Sequence, residues 1–331
     1  MQYRQLGQSG ISVSVLSFGA WQLGDSEYWG ASEESDPQAA VDAALDLGIN
    51  LFDTAEMYGE GESERVLGKA LGKRAGDVYI ASKISPENCV RGRVRAACEA
   101  SLRRLGRDYI DIYQIHWPFG QEAFGEVYGE LESLRDEGKI RVIGVSNFGA
   151  HDLSDWMVKG TAVSNQLGYN LLFRAAEYRI IPECRKYGLG VLVYMPLMQG
   201  LLAGVWRTVS EIPMLRRRTR HFSALSGCTR HGEQGCEELL MQTLSQLREF
   251  ADAIHVPAAT VSLCWVSAQP GVSSVVIGAR NPEQVRQNVQ AADLNIGPAA
   301  IAQLNEITAP LKRQLGGNAD MWKGSGASRI S

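Results

Sequence analysis

The sequence predicts an α/β fold of the (β/α)8 barrel type. Eight short, mostly apolar segments alternate with longer segments whose apolar residues recur at helical spacing, and neither kind forms a separate block. The apolar segments lack polar alternation, which is typical of parallel strands covered on both faces. The predicted strands are Leu16–Ala20, Asn50–Thr54, Val78–Lys83, Ile110–His116, Val142–Ser146, Ala162–Gln166, Val191–Met195 and Ser274–Gly278.

A β-hairpin precedes the predicted barrel, and helices follow most of its strands. Residues 3–7 and 11–15 are strand-like and flank a Gln-Ser-Gly turn. The first long helix has clear boundaries, because Asp36 is an N-cap residue followed by Pro37, and Gly48 ends it. The other predicted barrel helices are Ser63–Leu71, Arg91–Leu105, Glu122–Glu137, Ala175–Tyr187, Pro257–Ala268 and Pro282–Ala291.

Additional segments follow the seventh and eighth predicted strands. The loop 196–235 is long and contains an Arg-rich run at 216–220, and loops of that length in compact domains are either functional covers or disordered. An extra helix, Cys236–Ile254, comes next. A terminal helix, 298–311, leads into the tail 311–331, where Trp322 suggests a segment that folds back over the barrel mouth. We expect one domain over residues 1–331.

An open doubly wound sheet is the alternative architecture. That fold binds dinucleotides through a G-x-G-x-x-G motif directly after an early strand. Residues 59–64, GEGESE, break this motif at its last position, and they follow a strand that ends in an acid. The barrel is therefore the preferred prediction.

Composition argues against several classes of protein. The formal net charge of −4 gives no electrostatic preference for nucleic acid or for an anionic membrane surface. The N-terminus lacks the pattern of a secretory signal, and no apolar run reaches the roughly 20 residues of a membrane span. We expect a soluble cytoplasmic protein, without nucleic-acid or membrane partners and of unknown oligomeric state.

The cysteines and histidines give no indication of a metal site. Six cysteines are scattered without a C-x-x-C pair, and no histidine stands at ligand spacing from them. In a chain without a signal peptide these cysteines are expected to be reduced thiols. We therefore predict no bound metal.

Polar residues stand where the predicted strands end. Strand ends gather at one mouth of a barrel, and that mouth is where barrel enzymes carry their chemistry. Asp53, Lys83 and His116 end the second, third and fourth strands, and Tyr58 lies in the loop after Asp53. The later strands end at Ser146-Asn147, Gln166, Tyr194 and Gly278-Ala279-Arg280.

These four residues form a plausible acid–base group. A tyrosine with its ordinary pKa near 10 transfers protons poorly at pH 7, and a lysine ammonium beside it lowers that pKa. We expect Asp53 to pair with Lys83, and His116 to hydrogen-bond a substrate oxygen near the Tyr58 hydroxyl. Alone, each residue has an ordinary structural role, such as a helix cap or a loop aromatic, but together at one mouth they favour chemistry.

Five segments resemble the aldo-keto reductase superfamily. They are NLFDTAEMYGEGESERVLGKAL, ASK, YQIHWP, IGVSNF and VVIGARNPEQVRQN, in this order, and the resemblance extends from the hairpin to about Leu294. It is strongest to the branch that includes bacterial general-stress reductases, sugar dehydrogenases and potassium-channel β subunits. It implies a (β/α)8 barrel that uses NAD(P)H to reduce carbonyl groups.

The resemblance also implies roles for individual residues. The catalytic positions fall on Asp53, Tyr58, Lys83 and His116, with Tyr58 as the general acid. The implied cofactor residues are Ser146, Asn147 and Gln166 for the carboxamide, Tyr194 for the nicotinamide ring, Pro196, Leu197, Gly200 and Leu202 for the pyrophosphate, and Gly278, Arg280, Gln284, Gln287 and Asn288 for the adenosine end. Loop 196–235 is expected to cover the cofactor, and its Arg run either binds the phosphates or is a solvated basic loop.

Two positions depart from the pattern common among relatives. Met195 stands where many have serine, and Gly278-Ala279 replaces a common Lys-Ser pair. The second change leaves the 2′-phosphate of NADP chiefly to Arg280, whose guanidinium suits phosphate. NADP(H) is therefore the preferred cofactor, with NAD(H) as the alternative.

The expected partner is a small carbonyl compound or sugar. Trp21, Trp29 and Trp117 are candidate walls of its pocket, since aromatic side chains line such sites. The predicted function is reduction of aldehydes or ketones to alcohols, or the reverse. The alternative is an NADP(H)-binding redox sensor on the same fold, and the intact His116 favours catalysis.

Overall fold

A closed barrel of eight parallel strands forms the centre of the computed structural model, which describes residues 1–25, 29, 35–226 and 228–331. The strands are β3 (Leu16–Gly19), β4 (Leu51–Asp53), β5 (Tyr79–Ile84), β6 (Ile110–Ile115), β7 (Ile140–Ser146), β8 (Ser164–Gly168), β9 (Gly190–Tyr194) and β10 (Val272–Gly278). The barrel closes in the order β10-β3-β4-β5-β6-β7-β8-β9. The predicted barrel is confirmed, and strand boundaries differ from prediction by no more than two residues.

The predicted hairpin is confirmed and packs at the amino-terminal end of the barrel. Strands β1 (Tyr3–Gln5) and β2 (Ser12–Ser14) pair antiparallel. Gly7, in the turn between them, has φ +52 and lies directly against the backbone of Val163, an approach that leaves no space for a β-carbon. The buried cluster that joins hairpin to barrel consists of Leu6, Ile11, Val13, Leu51, Ala81, Ile112 and Leu192.

A polar layer lies directly above this apolar one. Residues two apart in a strand point to the same face, so the next inward-facing residues lie closer to the carboxyl end of each strand. On β4, β5 and β6 these residues are Asp53, Lys83 and Gln114, and all three are buried. Because inward-facing side chains recur every second residue along a strand, the barrel interior changes from apolar to charged within two residues.

Helices surround the barrel and complete its core. They are α1 (Trp21–Gly24), α2 (Pro37–Asp46), α3 (Glu62–Leu71), α4 (Val94–Leu105), α5 (Phe124–Asp136), α6 (Ala150–Lys159), α7 (Ile180–Lys186), α8 (Glu237–Ala253), α9 (Ala258–Ser267), α10 (Pro282–Asp293) and α11 (Gly297–Leu315). The predicted cap of α2 is confirmed, because the Asp36 side chain accepts a hydrogen bond from the Ala39 N–H at 2.9 Å.

Four helices differ from the prediction. The predicted helix Ala175–Tyr187 is divided into a 3-10 turn, Ala175–Glu177, and α7, because Pro182 lacks an N–H and fits only a first helical turn. Helix α11 continues through Pro310 to Leu315, where Leu311 and Leu315 are buried one turn apart. Helices α1 and α6 were not predicted, and α1 is only a single turn.

The long loop after β9 contains short 3-10 turns instead of extended structure. These turns are Met198–Ala203, Val209–Glu211, Met214–Arg216 and Ala224–Ser226. Among the helices that the structure describes, none has by itself the length and apolar composition to cross a membrane. Within the described part of the chain, α8 and α9 together have the required length and apolar composition, but a bend of 96° separates them.

Candidate active site

A buried ion pair lies at the centre of the barrel mouth. Lys83 Nζ, at the end of β5, is 2.6 Å from Asp53 Oδ1, at the end of β4. Lys83 is completely buried, and its ammonium also donates to the Thr54 carbonyl oxygen at 2.9 Å. The pairing expected from the sequence is therefore present. The two charges compensate each other at a site that is buried from solvent.

The second carboxylate oxygen of Asp53 accepts hydrogen bonds from two glutamines. Gln166 Nε2 donates at 2.7 Å and Gln114 Nε2 at 3.4 Å. A buried ion pair is stable only when such bonds satisfy its remaining lone pairs. The amide nitrogen of Gln166, a candidate cofactor residue, thus donates its hydrogen bond to Asp53. Gln114 was overlooked, although its position two residues beyond Ile112 on β6 placed it on the inner face.

Tyr58 lies between this ion pair and His116. Its hydroxyl is 3.3 Å from Lys83 Nζ, and its ring centroid is 5.5 Å from that of His116 at an interplanar angle of 83°. Burial, and then the Asp53 carboxylate, raise the pKa of Tyr58 well above its ordinary value. The expectation that Lys83 brings this pKa below its ordinary value is wrong for this structure, because burial and then the Asp53 carboxylate outweigh the effect of the ammonium.

His116 is almost completely buried directly after β6. Its Nδ1 atom has no hydrogen-bond partner within the described part of the chain. Burial, then Lys83 and then Arg329 hold the pKa of His116 well below its usual range. The ring is therefore neutral at physiological pH, and one polar edge has its hydrogen-bonding capacity unused.

Four of the candidate cofactor residues form one hydrogen-bonded network at the mouth. Asn147 adopts φ +62 after β7, which directs its side chain across the strand ends. Its amide donates to the His116 carbonyl oxygen at 3.0 Å and accepts from the Tyr194 hydroxyl at 2.7 Å. Ser146 Oγ donates to the Gln166 carbonyl oxygen at 3.1 Å. Together these residues bring β6, β7, β8 and β9 to one network.

The segment after β9 forms a tight turn at the rim. Met198, Gln199 and Gly200 all have positive φ values, and the Gly200 and Leu202 N–H groups both donate to the Leu197 carbonyl oxygen. Pro196 and the Leu202 side chain are buried, whereas Leu197 and Gly200 are partly exposed. Leu202 therefore packs in the core, and the exposed part of the candidate pyrophosphate segment is Leu197 and Gly200.

The candidate adenosine residues lie at the end of β10 and in α10. Within the described residues, the Arg280 guanidinium makes neither an ion pair nor a hydrogen bond, so its charge is uncompensated. Gln284 Oε1 accepts from the Arg280 N–H at 2.9 Å, and Asn288 Nδ2 lies 3.5 Å from the Gly278 carbonyl oxygen. Gln287 donates to Glu283 at 3.0 Å. Gln284 thus positions the Arg280 backbone.

Two of the three candidate pocket tryptophans contact residues at the mouth. Trp21 stacks on Tyr58 with ring centroids 5.5 Å apart, and Trp117 directly follows His116. Trp29 meets Trp21 edge-on at a centroid distance of 5.1 Å, with the Arg216 guanidinium 4.3 Å from the Trp29 ring centroid. Trp29 thus supports the wall that Trp21 forms.

The Arg-rich run is engaged in contacts within the protein. Arg217 Nε donates to the Ile212 carbonyl oxygen at 2.7 Å, and the buried Arg220 bonds to the tail. These contacts favour neither a phosphate-binding role nor a solvated basic loop for the run as a whole. The tail supplies two residues at the mouth. Trp322 lies there as the sequence suggested, whereas Arg329 was not predicted.

Comparison with known proteins identifies the family. The family model of the Aldo/keto reductase family matches residues 15–309. An NADH-specific methylglyoxal reductase of Escherichia coli (strain K12) is 31% identical, over 93% of this chain and 98% of that protein. A probable voltage-gated potassium channel subunit beta of Arabidopsis thaliana is 28% identical, over 89% and 92%.

The fold also resembles that of a solved structure from the same family. An aldo-keto reductase from Klebsiella pneumoniae in complex with NADPH superposes with a TM-score of 0.72 at 29% identity, covering 93% of this chain and 96% of that one. Residues 15–309, which the family model matches, contain the whole barrel and every strand end described above. The chain belongs to the aldo/keto reductase family of oxidoreductases.

Proposed function

We propose that this protein reduces aldehydes or ketones to alcohols with NADPH, or catalyses the reverse oxidation, and that Tyr58 transfers the proton. The observation that carries this proposal is the position of the Tyr58 hydroxyl, 3.3 Å from a lysine that is itself paired with a buried aspartate. A neutral histidine ring lies on the other side of the same tyrosine. This combination provides a proton donor and polar groups around one carbonyl oxygen.

Tyr58 has the protonation state that reduction needs. Its raised pKa keeps the hydroxyl protonated at physiological pH, so it donates a proton to the substrate oxygen. Bound NADPH supplies the hydride that the carbonyl carbon accepts. The balanced reaction is carbonyl plus NADPH plus a proton giving alcohol plus NADP⁺, with the proton returned to Tyr58 from solvent. The Lys83 ammonium stabilises the phenolate that forms for that interval.

His116 orients the substrate oxygen in this proposal. A neutral imidazole donates one hydrogen bond and accepts another, and its buried Nδ1 atom has no partner among the residues described. Asn147 holds the backbone of His116 in place through its carbonyl oxygen. His116 therefore fixes the carbonyl group in line with the Tyr58 hydroxyl.

The end of β10 and the start of α10 suit a dinucleotide that carries an extra phosphate. The uncompensated guanidinium of Arg280 stands beside the amino-terminal end of α10, where helix amides also favour anions. NADP(H) is therefore the preferred cofactor and NAD(H) a possible one. The relatives are consistent with either, since one is described as NADH-specific and another structure contains NADPH.

The partner is a small carbonyl compound, and methylglyoxal is a reasonable first substrate because a relative is named for its reduction. The test is a panel of aldehydes and ketones assayed with NADPH that carries deuterium on C4. We expect consumption of the nucleotide with at least one carbonyl, and deuterium on the carbinol carbon of the product. Deuterium released to water would contradict direct hydride transfer.

A regulatory role is the second candidate function. The likeness to a potassium channel subunit beta supports it, because that protein shares most of its length with this chain. It predicts tight binding of NADPH without turnover of any carbonyl compound. Nucleotide binding followed by fluorescence, alongside the deuterium assay, separates the two functions.

A further inference from the structure

The segment after α11 crosses the barrel mouth. We call residues 318–331 the roof. The Trp322 ring is parallel to that of Tyr194, within 6°, at a centroid distance of 6.4 Å, and it lies 5.8 Å from the Trp117 ring at 65°. Tyr194 ends β9 and Trp117 follows β6 closely, so Trp322 links two strand ends that lie three places apart in the barrel order.

A buried carboxylate organises this segment. Asp320 is completely buried and accepts two bonds from the Arg329 guanidinium, from Nε at 2.7 Å and from Nη2 at 2.9 Å. The same carboxylate accepts the N–H of Trp322 at 3.1 Å and that of Arg329 at 3.3 Å. Bidentate pairing fixes both position and orientation of a guanidinium. One side chain thus holds both ends of a ten-residue loop.

Arg329 also contacts the residue next to His116. Its guanidinium carbon is 3.7 Å from the centroid of the Trp117 ring and 5.8 Å from that of Trp322. Cation–π contact at this distance is attractive, and the pairing with Asp320 prevents the arginine from turning towards solvent. Arg329 thereby connects the roof to the wall of the mouth.

Arg220 fastens the roof at its other side. Its N–H donates to the Met321 carbonyl oxygen at 2.8 Å, and its guanidinium donates to the carbonyl oxygens of Asn318 and Leu315 at 3.0 and 2.9 Å. Glu233 compensates the charge at 2.9 Å. The roof is therefore attached to the long loop after β9 as well as to the mouth.

We propose that Arg329 is a positioning residue that holds Trp322 over the mouth, where the roof binds the substituent of the carbonyl substrate. The surfaces that face one another there are indole and phenol rings, so the roof favours substrates with a flat aromatic substituent over two- and three-carbon aldehydes. This inference rests on the proposed reductase function. Arg329 acts through Trp117 and Trp322 and takes no part in proton transfer.

The test compares two arginine variants with a matched control. Arg329→Met keeps the length of the stem but removes the charge, and Arg329→Lys keeps the charge without the bidentate pair. Arg313→Met, on the exposed side of α11, removes an arginine that contacts neither the roof nor the mouth. KM and kcat are measured with NADPH for benzaldehyde and for propanal, and deuterium exchange is measured across residues 318–331.

The expected result is a selective effect on binding of the aromatic substrate. Arg329→Met raises KM for benzaldehyde roughly tenfold, changes kcat less than about threefold and leaves KM for propanal within about twofold. Arg329→Lys recovers part of the loss, and Arg313→Met behaves as wild type. Exchange across the roof increases in Arg329→Met and not in the control.

Three results overturn this inference. An unchanged ratio of the two KM values, with faster exchange, shows that the roof is held by Arg329 but does not select substrates. A lower KM for benzaldehyde shows that the roof excludes such substrates instead of binding them. Exchange that does not change contradicts the positioning role itself. Wild-type protein that reduces neither aldehyde, nor any other carbonyl, contradicts the proposed function, and the exchange experiment still tests the Arg329 contact.

Discussion

The two ends of the barrel are built from the same strands and differ in every chemical respect. At the amino-terminal end, Leu51 and Leu192 are fully buried among apolar residues, and the hairpin closes the barrel. At the carboxyl end, Asp53 lies only two residues beyond Leu51 and is paired with Lys83. The difference shows that successive inward-facing residues of one strand can have different roles. The first packs in the apolar core and stabilises the fold, and the next belongs to the charged site.

This division explains how the barrel tolerates a buried ion pair. Two buried charges cost several kcal/mol of solvation each, and their attraction repays this only with good geometry and added hydrogen bonds. The apolar layer below supplies the folding free energy independently of the mouth. We therefore expect substitutions at the mouth to affect activity, and substitutions at the amino-terminal end, which the hairpin closes, to affect stability.

The largest combined effect on activity and stability is expected for Lys83→Met. Loss of the ammonium removes the group that stabilises the Tyr58 phenolate, so kcat falls about 10²–10³-fold. The Asp53 charge is left buried without its partner, which lowers the free energy of unfolding by about 3–5 kcal/mol. Steady-state kinetics and urea denaturation measure the two quantities.

The double variant Asp53→Asn with Lys83→Met is the matched control. It removes both charges, so we expect it to be more stable than Lys83→Met alone while remaining equally inactive. A double variant that is less stable than the single one would show that the ion pair is not compensated as described.

At the closed end, Leu192→Ala is expected to cost about 2–5 kcal/mol of unfolding free energy, as a buried leucine does when truncated. Turnover per folded molecule stays within about twofold, since Leu192 lies below the polar layer. Activity is measured well below the denaturation midpoint. A large loss of kcat in fully folded protein would mean that the two ends of the barrel are not independent.

Arg280→Met tests the cofactor part of the mouth. Removing the uncompensated guanidinium should raise KM for NADPH roughly tenfold and leave KM for NADH unchanged within about twofold, because only NADPH carries the 2′-phosphate. Arg286→Met, four residues into α10 and paired with Glu283, serves as the control. Equal effects on both nucleotides would assign Arg280 a structural role.

The pH dependence of reduction is the smallest expected effect, and its contrast with that of oxidation is diagnostic. Because the pKa of Tyr58 is raised, the hydroxyl stays protonated, and kcat/KM for reduction should change less than about twofold between pH 7 and 9. Alcohol oxidation needs the phenolate as base, so its kcat/KM should rise by about tenfold per pH unit over the same range. A plateau of oxidation below pH 9 would indicate a lowered pKa.

The sequence predicted the mouth better than its cover. Asp53 and Lys83 were predictable because parallel strands bring their carboxyl ends to one edge, and the period of two fixes which residues face inward. Trp322 suggested that the tail folds back, but its partners and the role of Arg329 were not predictable, since the tail lacks periodicity and meets residues about 130 to 210 positions earlier in the chain. The raised pKa of Tyr58 was missed because it depends first on how completely the hydroxyl is buried and then on the nearby Asp53 charge, which only the folded arrangement determines.

The central claim is that the Tyr58 hydroxyl transfers the proton, and a comparison of two tyrosine variants tests it most directly. Tyr58→Phe removes that hydroxyl, whereas Tyr113→Phe removes a buried hydroxyl on β6 that has no hydrogen-bond partner in the described residues. We predict that Tyr58→Phe lowers kcat at least about 10³-fold with NADPH binding unchanged, and that Tyr113→Phe keeps full activity. A Tyr58→Phe enzyme that retains a tenth or more of wild-type kcat would contradict the account.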